Sequence, residues 1–269
     1  MQIAHLSRRT GLIVGVATFF ALALIISTVM NILMPKSTHA PRADSPATTS
    51  TKKPAAAIPS PTKPLPKPPA FNKTKYSTTS SSSLWANVNK QHPLIPSNYA
   101  PNDLIKGAGG YYYSSRISAD LAALIDAAAK QGVVLSVGSA YRSYAAQTSL
   151  YNGYVAQYGQ ATADTISARP GYSEHQTGLA VDINGNSNPS CNFDVCFGDT
   201  AEGKWLAFHA TEYGFVIRYS KDATAINGYS YEPWHIRYVG HELATEYKKE
   251  DATSLEAFFS ISGGSAYNN

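Results

Sequence analysis

Two short segments of this 269-residue chain concentrate the side chains that could do chemistry. The first is Gly171-Tyr-Ser-Glu-His-Gln-Thr-Gly-Leu-Ala-Val-Asp182, and the second is Tyr231-Glu-Pro-Trp-His-Ile-Arg237. Two imidazoles and one carboxylate, His175, Asp182 and His235, make a catalytic zinc set: three protein ligands with the fourth position left for water. Zinc held this way lowers the pKa of its water to about 7 and polarises a substrate carbonyl. Such a site also needs a general base that is not a ligand, and Glu232, three residues before His235, can supply it. On the residues alone other readings stay open. Each histidine can be a satisfied structural residue, and Glu232 a surface charge. Ser173, His175 and Asp182 could form a nucleophilic triad, although Ser173 lacks the Gly-x-Ser-x-Gly turn of one familiar kind. His209 and His241 have no such companions and read as structural.

These residues need elements to hold them. Leu179, Val181 and Ile183 alternate with Ala180 and Asp182, so a strand here turns the apolar trio to the core and Asp182 to the other face. Gly178 permits a sharp entry that folds His175 back beside Asp182. Pro233 fixes the backbone before Trp234 and His235. Upstream, Ser118 can cap a helix through Leu121, Leu124, Ile125 and Ala128, with Gly132 just past its end. Residues 133–138 (VVLSVG) read as a short buried strand that delivers the chain to Ser139-Ala140-Tyr141-Arg142. Ser143 can cap a second helix carrying Gln147 in its first turns. A third helix over 202–213 ends at Gly214, before a strand over 215–219. Strands and helices do not alternate regularly, which predicts an α+β fold. Cys191 and Cys196, five apart in a loop-like stretch, read as a disulfide of an exported domain. A thiolate metal pair is the weaker reading, because no further Cys or His lies in that loop.

Composition divides the chain. Residues 11–34 carry no charge and are long enough to cross roughly 30 Å of hydrocarbon. Arg8 and Arg9 precede them, which predicts a cytoplasmic N-terminus at 1–10, a single transmembrane anchor and an extracellular remainder. A cleaved signal peptide is the alternative, but its apolar core is usually about 7–15 residues, and Pro41 follows the Thr38-His39-Ala40 site. Nine of the sixteen prolines lie between Pro41 and Pro69, followed by a Ser/Thr tract, so residues 35–83 read as a disordered tether to a domain over 84–269. The chain is +4 overall; Arg8, Arg9 and the tether, with eight basic residues against Asp44, supply +9, leaving −5 for the domain. The basic balance therefore belongs to anchor and tether. It predicts no nucleic-acid partner, and allows contact of the tether with anionic lipid or wall polymer.

The double motif, Ser173-x-His175-x-x-Gly178-x-Ala180-x-Asp182 and then Glu232-Pro-Trp-His235 about fifty residues on, resembles the VanY-type D-alanyl-D-alanine carboxypeptidases. The resemblance covers roughly residues 85–260. It implies a fold shared with the Hedgehog signalling domain, a central antiparallel sheet flanked by helices. It also implies one Zn2+ per chain on His175, Asp182 and His235, with Glu232 as base, and substrate contacts from Arg142, Gln147 and Ser173. The reaction implied is removal of the C-terminal D-alanine from peptidoglycan stem peptides by metal-activated water. A planar guanidinium donates two parallel hydrogen bonds to a terminal carboxylate, so Arg142 would make the enzyme a carboxypeptidase, with Arg218 and Arg237 the next candidates for that role. The alternatives are an L,D-carboxypeptidase acting on tetrapeptide stems, an endopeptidase, or a non-catalytic wall-binding module, against which the intact Glu232 argues.

Overall fold

Four strands build the sheet on which both motifs sit. In the computed structural model, which describes residues 70–268, the sheet order is β3-β4-β6-β5 with every neighbour antiparallel. The strands are β3 (Leu135–Ser139), β4 (Ala180–Gly185), β5 (Phe215–Tyr219) and β6 (Glu232–Tyr238), and a small hairpin of β1 (Leu104–Lys106) and β2 (Tyr112–Ser114) stands apart. The helices are α1 (Ser118–Lys130), α2 (Tyr144–Tyr158), α3 (Gln160–Ile166), α4 (Ala201–His209), α5 (Thr224–Asn227), α6 (His241–Lys249) and α7 (Leu255–Phe259). The expected α+β fold with an antiparallel sheet and helices is what forms.

The period of two decides which face does what. Val137, Leu179, Val181, Ile183, Phe215 and Ile236 enter one core with Leu121, Leu124 and Ala128 of α1 and Trp205 and Leu206 of α4. Each such side chain contributes about 1.5–3 kcal/mol by leaving water. The intervening positions, Asp182, Arg218, His235 and Arg237, must then point to the opposite face. Part of that face is covered by a second apolar cluster, in which Val216 meets Trp85, Leu243 and Ala244 of α6, and Leu255 and Phe258 of α7. The uncovered part is the floor of a cleft walled by α2.

Several boundaries differ from the sequence reading. Ser118 is the first residue of α1 and makes no cap; the chain enters from a 3-10 turn whose capping oxygen is that of Ser114, which accepts from the Arg116 N–H. Ser114 sits at the end of β2 and so reaches the turn first. Strand β3 starts at Leu135 rather than 133. The helix expected over 202–213 is α4 followed by a 3-10 turn, and it stops at Gly214 with φ 78°. Ser143 does cap α2, accepting from the Ala146 N–H at 3.2 Å. Cys191 and Cys196 form the expected disulfide, with Cα atoms 5.3 Å apart.

The folded part also begins before residue 84. Residues 70–83, assigned to the tether on composition, lie against the domain. The Phe71 ring packs 5.5 Å from Trp85 and 5.8 Å from Phe258, Tyr76 stands edge-on to Trp85, and Lys73 pairs with Glu250. Ser77 accepts backbone N–H bonds from Thr79 and Ser80, so the Ser/Thr tract forms turns. The anchor read over 11–34, and the tether up to 69, lie outside the described residues. Among the described residues no helix is long and apolar enough to cross a membrane.

If Phe71 is part of the folded unit, Phe71→Ala should lower the unfolding free energy by about 1–3 kcal/mol. Urea unfolding followed by tryptophan fluorescence measures it, and an unchanged midpoint would return residues 70–83 to the tether.

Candidate active site

His175 lies in a 3-10 turn, Glu174–Thr177, that ends at Gly178 in the left-handed region with φ 70°. A Cβ at Gly178 would also stand 3.0 Å from the Ser114 backbone nitrogen, so only glycine suits the turn. The turn aims His175 back over the sheet, where its Nδ1–H donates to the Ala140 carbonyl at 2.7 Å. That bond leaves Nε2 to face Asp182 Oδ2 at 3.2 Å. Asp182 and His235 are direct partners across the β4–β6 ladder, with His235 Nδ1 3.0 Å from Asp182 Oδ1. Register alone therefore brings two of the three groups together.

The donor atoms of His175, Asp182 and His235 lie within 4.8 Å of one another, and all three residues are buried. Asp182 Oδ1 has no hydrogen-bond partner despite its closeness to His235, so its lone pairs face a shared point rather than a proton. Two imidazole nitrogens and a carboxylate oxygen converging in a buried site fit zinc. Electrostatics agree. Burial works against charge on Asp182, but His175 and His235 hold its carboxyl well below the ordinary range. Burial lowers His175, which favours the neutral ring a metal needs. Burial also opposes charge on His235, yet the nearby carboxylates of Asp182, Glu174 and Glu232 raise it to about 9. The surroundings of that ring are thus negative enough to favour a cation beside it.

Both His175 nitrogens are committed, to Ala140 and to Asp182, and Ser173 makes no side-chain cap bond. No nitrogen remains to activate Ser173, so the triad reading fails. Ser173 instead lines a cleft of about 210 Å³ together with Arg142, Gln147, Glu232 and the three converging residues. Glu232 Oε2 is 3.7 Å from His235 Nδ1, and its side chain is 23% exposed, at the open side of the group. Burial pushes its carboxyl up to about 7, with Asp182 adding to the rise and His235 opposing it. Arg142 is held by Gln147 Oε1 at 2.9 Å and Ser139 Oγ at 3.2 Å. The Gln147 amide donates in turn to Ser167 Oγ and the Ala168 carbonyl. Gln147, wholly buried, spends its bonds on Arg142 and the cleft wall, and so sets where the guanidinium points.

Two residues escaped the sequence reading. Glu174, wholly buried, accepts from Arg218 Nε at 2.9 Å and Arg237 Nη1 at 2.7 Å through Oε1, while Oε2 lies 3.7 Å from His235 Nε2. The two arginines win against burial and hold Glu174 ionised, below the ordinary carboxyl range. Arg218 also pairs with Glu256, and Arg237 donates to the Leu84 and Ala86 carbonyls. Neither arginine is free to read a substrate, so they drop out as carboxylate readers. A signal existed, since Arg237 follows His235 by two and shares its face of β6. The second residue is Tyr219, in register with Glu232 across β5–β6, its ring 4.9 Å from that of His235. Burial raises its phenol well above the ordinary range. His209, beside Glu212 and stacked on Trp205, and His241, beside Asp120, are structural as expected.

Known proteins resemble this chain in sequence and fold. A family model described as D-alanyl-D-alanine carboxypeptidase (VanY) matches residues 111–241. The putative carboxypeptidase YodJ of Bacillus subtilis (strain 168) is 42% identical over 185 residues, spanning 65% of this chain and 67% of that protein. The solved structure of the LdcB LD-carboxypeptidase superposes with a TM-score of 0.62 at 39% identity, over 68% of this chain and 89% of that one. A vancomycin-resistance D,D-pentapeptidase, VanY, solved in complex with Zn(II), gives 0.56 at 36% identity, over 66% and 98%.

The three-donor geometry predicts about one zinc per chain by elemental analysis. His175→Ala or His235→Ala should remove most of it, whereas Ser173→Ala should keep it. Full zinc content in both histidine variants would refute the ligand set.

Proposed function

Because the chain belongs to the D-alanyl-D-alanine carboxypeptidase (VanY) family, we infer that it is a zinc metallopeptidase removing the C-terminal D-alanine from peptidoglycan stem peptides. The observation that carries this reading is a single cleft holding a three-donor metal group, a raised carboxyl at its open side and a guanidinium clamped beside it. Zinc, when bound by His175, Asp182 and His235, supplies a Lewis acid for the scissile carbonyl and lowers the pKa of water. The remaining work falls to the chain. Glu232, with its carboxyl near neutrality, can take a proton from the attacking water and return it to the departing amine. Arg142 has N–H donors beyond those given to Gln147 and Ser139, and these suit the terminal carboxylate of the stem. The Ser173 hydroxyl can bond the peptide. No side chain needs to become acylated, so penicillin-type acylation should leave the enzyme untouched.

Likeness to the LdcB LD-carboxypeptidase supports a second reading, cleavage of the terminal residue from tetrapeptide stems. Mass spectrometry of separate tetra- and pentapeptide muropeptides after incubation with the zinc-loaded chain distinguishes the two. We also propose that residues 11–34 anchor the chain in the cell membrane in a single pass, with the catalytic domain outside and the basic tether against anionic lipid or wall polymer. The uncharged run, the preceding Arg8 and Arg9 and the Cys191–Cys196 disulfide support this. Protease added to intact protoplasts should remove the domain, and complete protection would overturn the orientation.

Glu232→Gln keeps shape but removes the basic carboxylate. Zinc content should survive while kcat falls by about 10²–10⁴. Arg142→Ala should instead raise KM and shrink the preference for free over amidated C-termini. Loss of zinc in Glu232→Gln would mean that it is a ligand and that the base is elsewhere.

A further inference from the structure

The Tyr219 hydroxyl is unaccounted for. Its ring is 5% exposed, packed against His235 on one side and 4.7 Å from the Tyr229 ring on another. Its backbone faces Glu232 across the β5–β6 ladder, at the point where the register shifts after Ile217. The residue lines the cleft, and among the described residues its hydroxyl makes no hydrogen bond. Of the other buried tyrosines, Tyr151 donates to Asp164, Tyr229 to the Tyr172 carbonyl and Tyr238 to Asp120, while Tyr247, which also makes no such bond, lies away from the cleft in the second apolar cluster. The ring is buried, but the hydroxyl is not among the fully buried polar atoms left without a partner, which leaves it open to a ligand in the cleft. Packing alone would be served equally by phenylalanine.

We propose that Tyr219 is a catalytic hydrogen-bond donor, its phenol directed at the scissile carbonyl oxygen as that oxygen gains negative charge. The proposal rests on the peptidase reading and adds a group to it. Tyr219 stands beside one zinc-site residue and opposite the base, the corner of the cleft where a peptide carbonyl must lie for Glu232 to deliver water to it. A neutral donor preset in a site shielded from water stabilises a developing oxyanion more than it stabilises the ground-state carbonyl. The donor keeps its proton throughout, so atoms and charge balance with water as the sole co-reactant.

The test is Tyr219→Phe in the full chain loaded with zinc, which preserves the ring against His235. Zinc content and melting temperature should match the parent, KM should stay within about twofold, and kcat should fall about 10²-fold. A phosphinate analogue of the dipeptide, whose tetrahedral oxygens imitate the oxyanion, should bind the variant more weakly by a similar factor in calorimetry, while free D-alanine binds equally. Unchanged kcat with unchanged phosphinate affinity would overturn the proposal, as would a rise in KM alone, which would make Tyr219 a ground-state contact. An inactive parent chain would instead count against the peptidase reading, so the two failures are distinguishable.

Discussion

A buried carboxylate between two buried arginines is the constraint on which the site rests. Glu174 joins the histidine-bearing turn to Arg218 on β5 and Arg237 on β6, and Arg218 reaches on to Glu256 in α7 and to Asn87 and Val88. Every one of these groups is out of water, so none can lose its partner cheaply: removing one member of such a set costs about 3–5 kcal/mol. The set is weak evidence for net stability, because well-packed apolar residues could hold the same strands together as well. Its effect is on position. With Oε1 occupied by both guanidinium groups, Oε2 is left beside His235 Nε2, and the His235 Nδ1 lone pair is turned toward Asp182 and His175. At 3.7 Å that oxygen makes no hydrogen bond to the ring, so Glu174 acts on His235 through its nearby negative charge.

What the sequence could and could not convey follows from the range of the interactions. The alternation of Leu179, Val181 and Ile183 with Asp182 is local, and a period of two needs no tertiary information, so the face of Asp182 was legible. The left-handed Gly178 and the Ser143 cap were legible for the same reason. Glu174 was not, although it sits between Ser173 and His175. Its role is set by Arg218 and Arg237, 44 and 63 residues away, and nothing local distinguishes it from a surface acid. Ser118 failed as a cap because β2 delivers Ser114 to the preceding turn, a fact of hairpin geometry. The boundary at 84 failed because average composition hides single residues: Phe71 and Tyr76 are enough to seat a polar segment on the ring of Trp85.

The cleft divides its charges between building and binding. Arg218 and Arg237 are saturated by carboxylates and carbonyls and hold strands together. Arg142 is held by neutral oxygens, those of Gln147 and Ser139, so its positive charge is not cancelled. A guanidinium bonded only to neutral acceptors keeps its attraction for an anion while giving up the conformational freedom that binding would otherwise cost. That difference supports the proposal that Arg142 reads the substrate carboxylate, even though the other two arginines lie closer to His235 in sequence.

The same accounting orders the events at the site. Asp182, Glu174, Glu256 and ionised Glu232 carry four negative charges against three positive ones on Arg142, Arg218 and Arg237, so with neutral histidines the group is −1. A site of that sign draws a cation, and without a metal the proton on His235 partly answers it, as the rise to about 9 records. With a dication in place the group becomes +1, and its attraction turns toward anions. On the proposed function, the ligand then favoured is a peptide that ends in a free carboxylate, which the field would draw to the cleft and Arg142 would hold there. The preference for a free C-terminus that the proposal predicts would thus have two sources, a fork that matches the carboxylate and a net charge that exists only once the metal is bound.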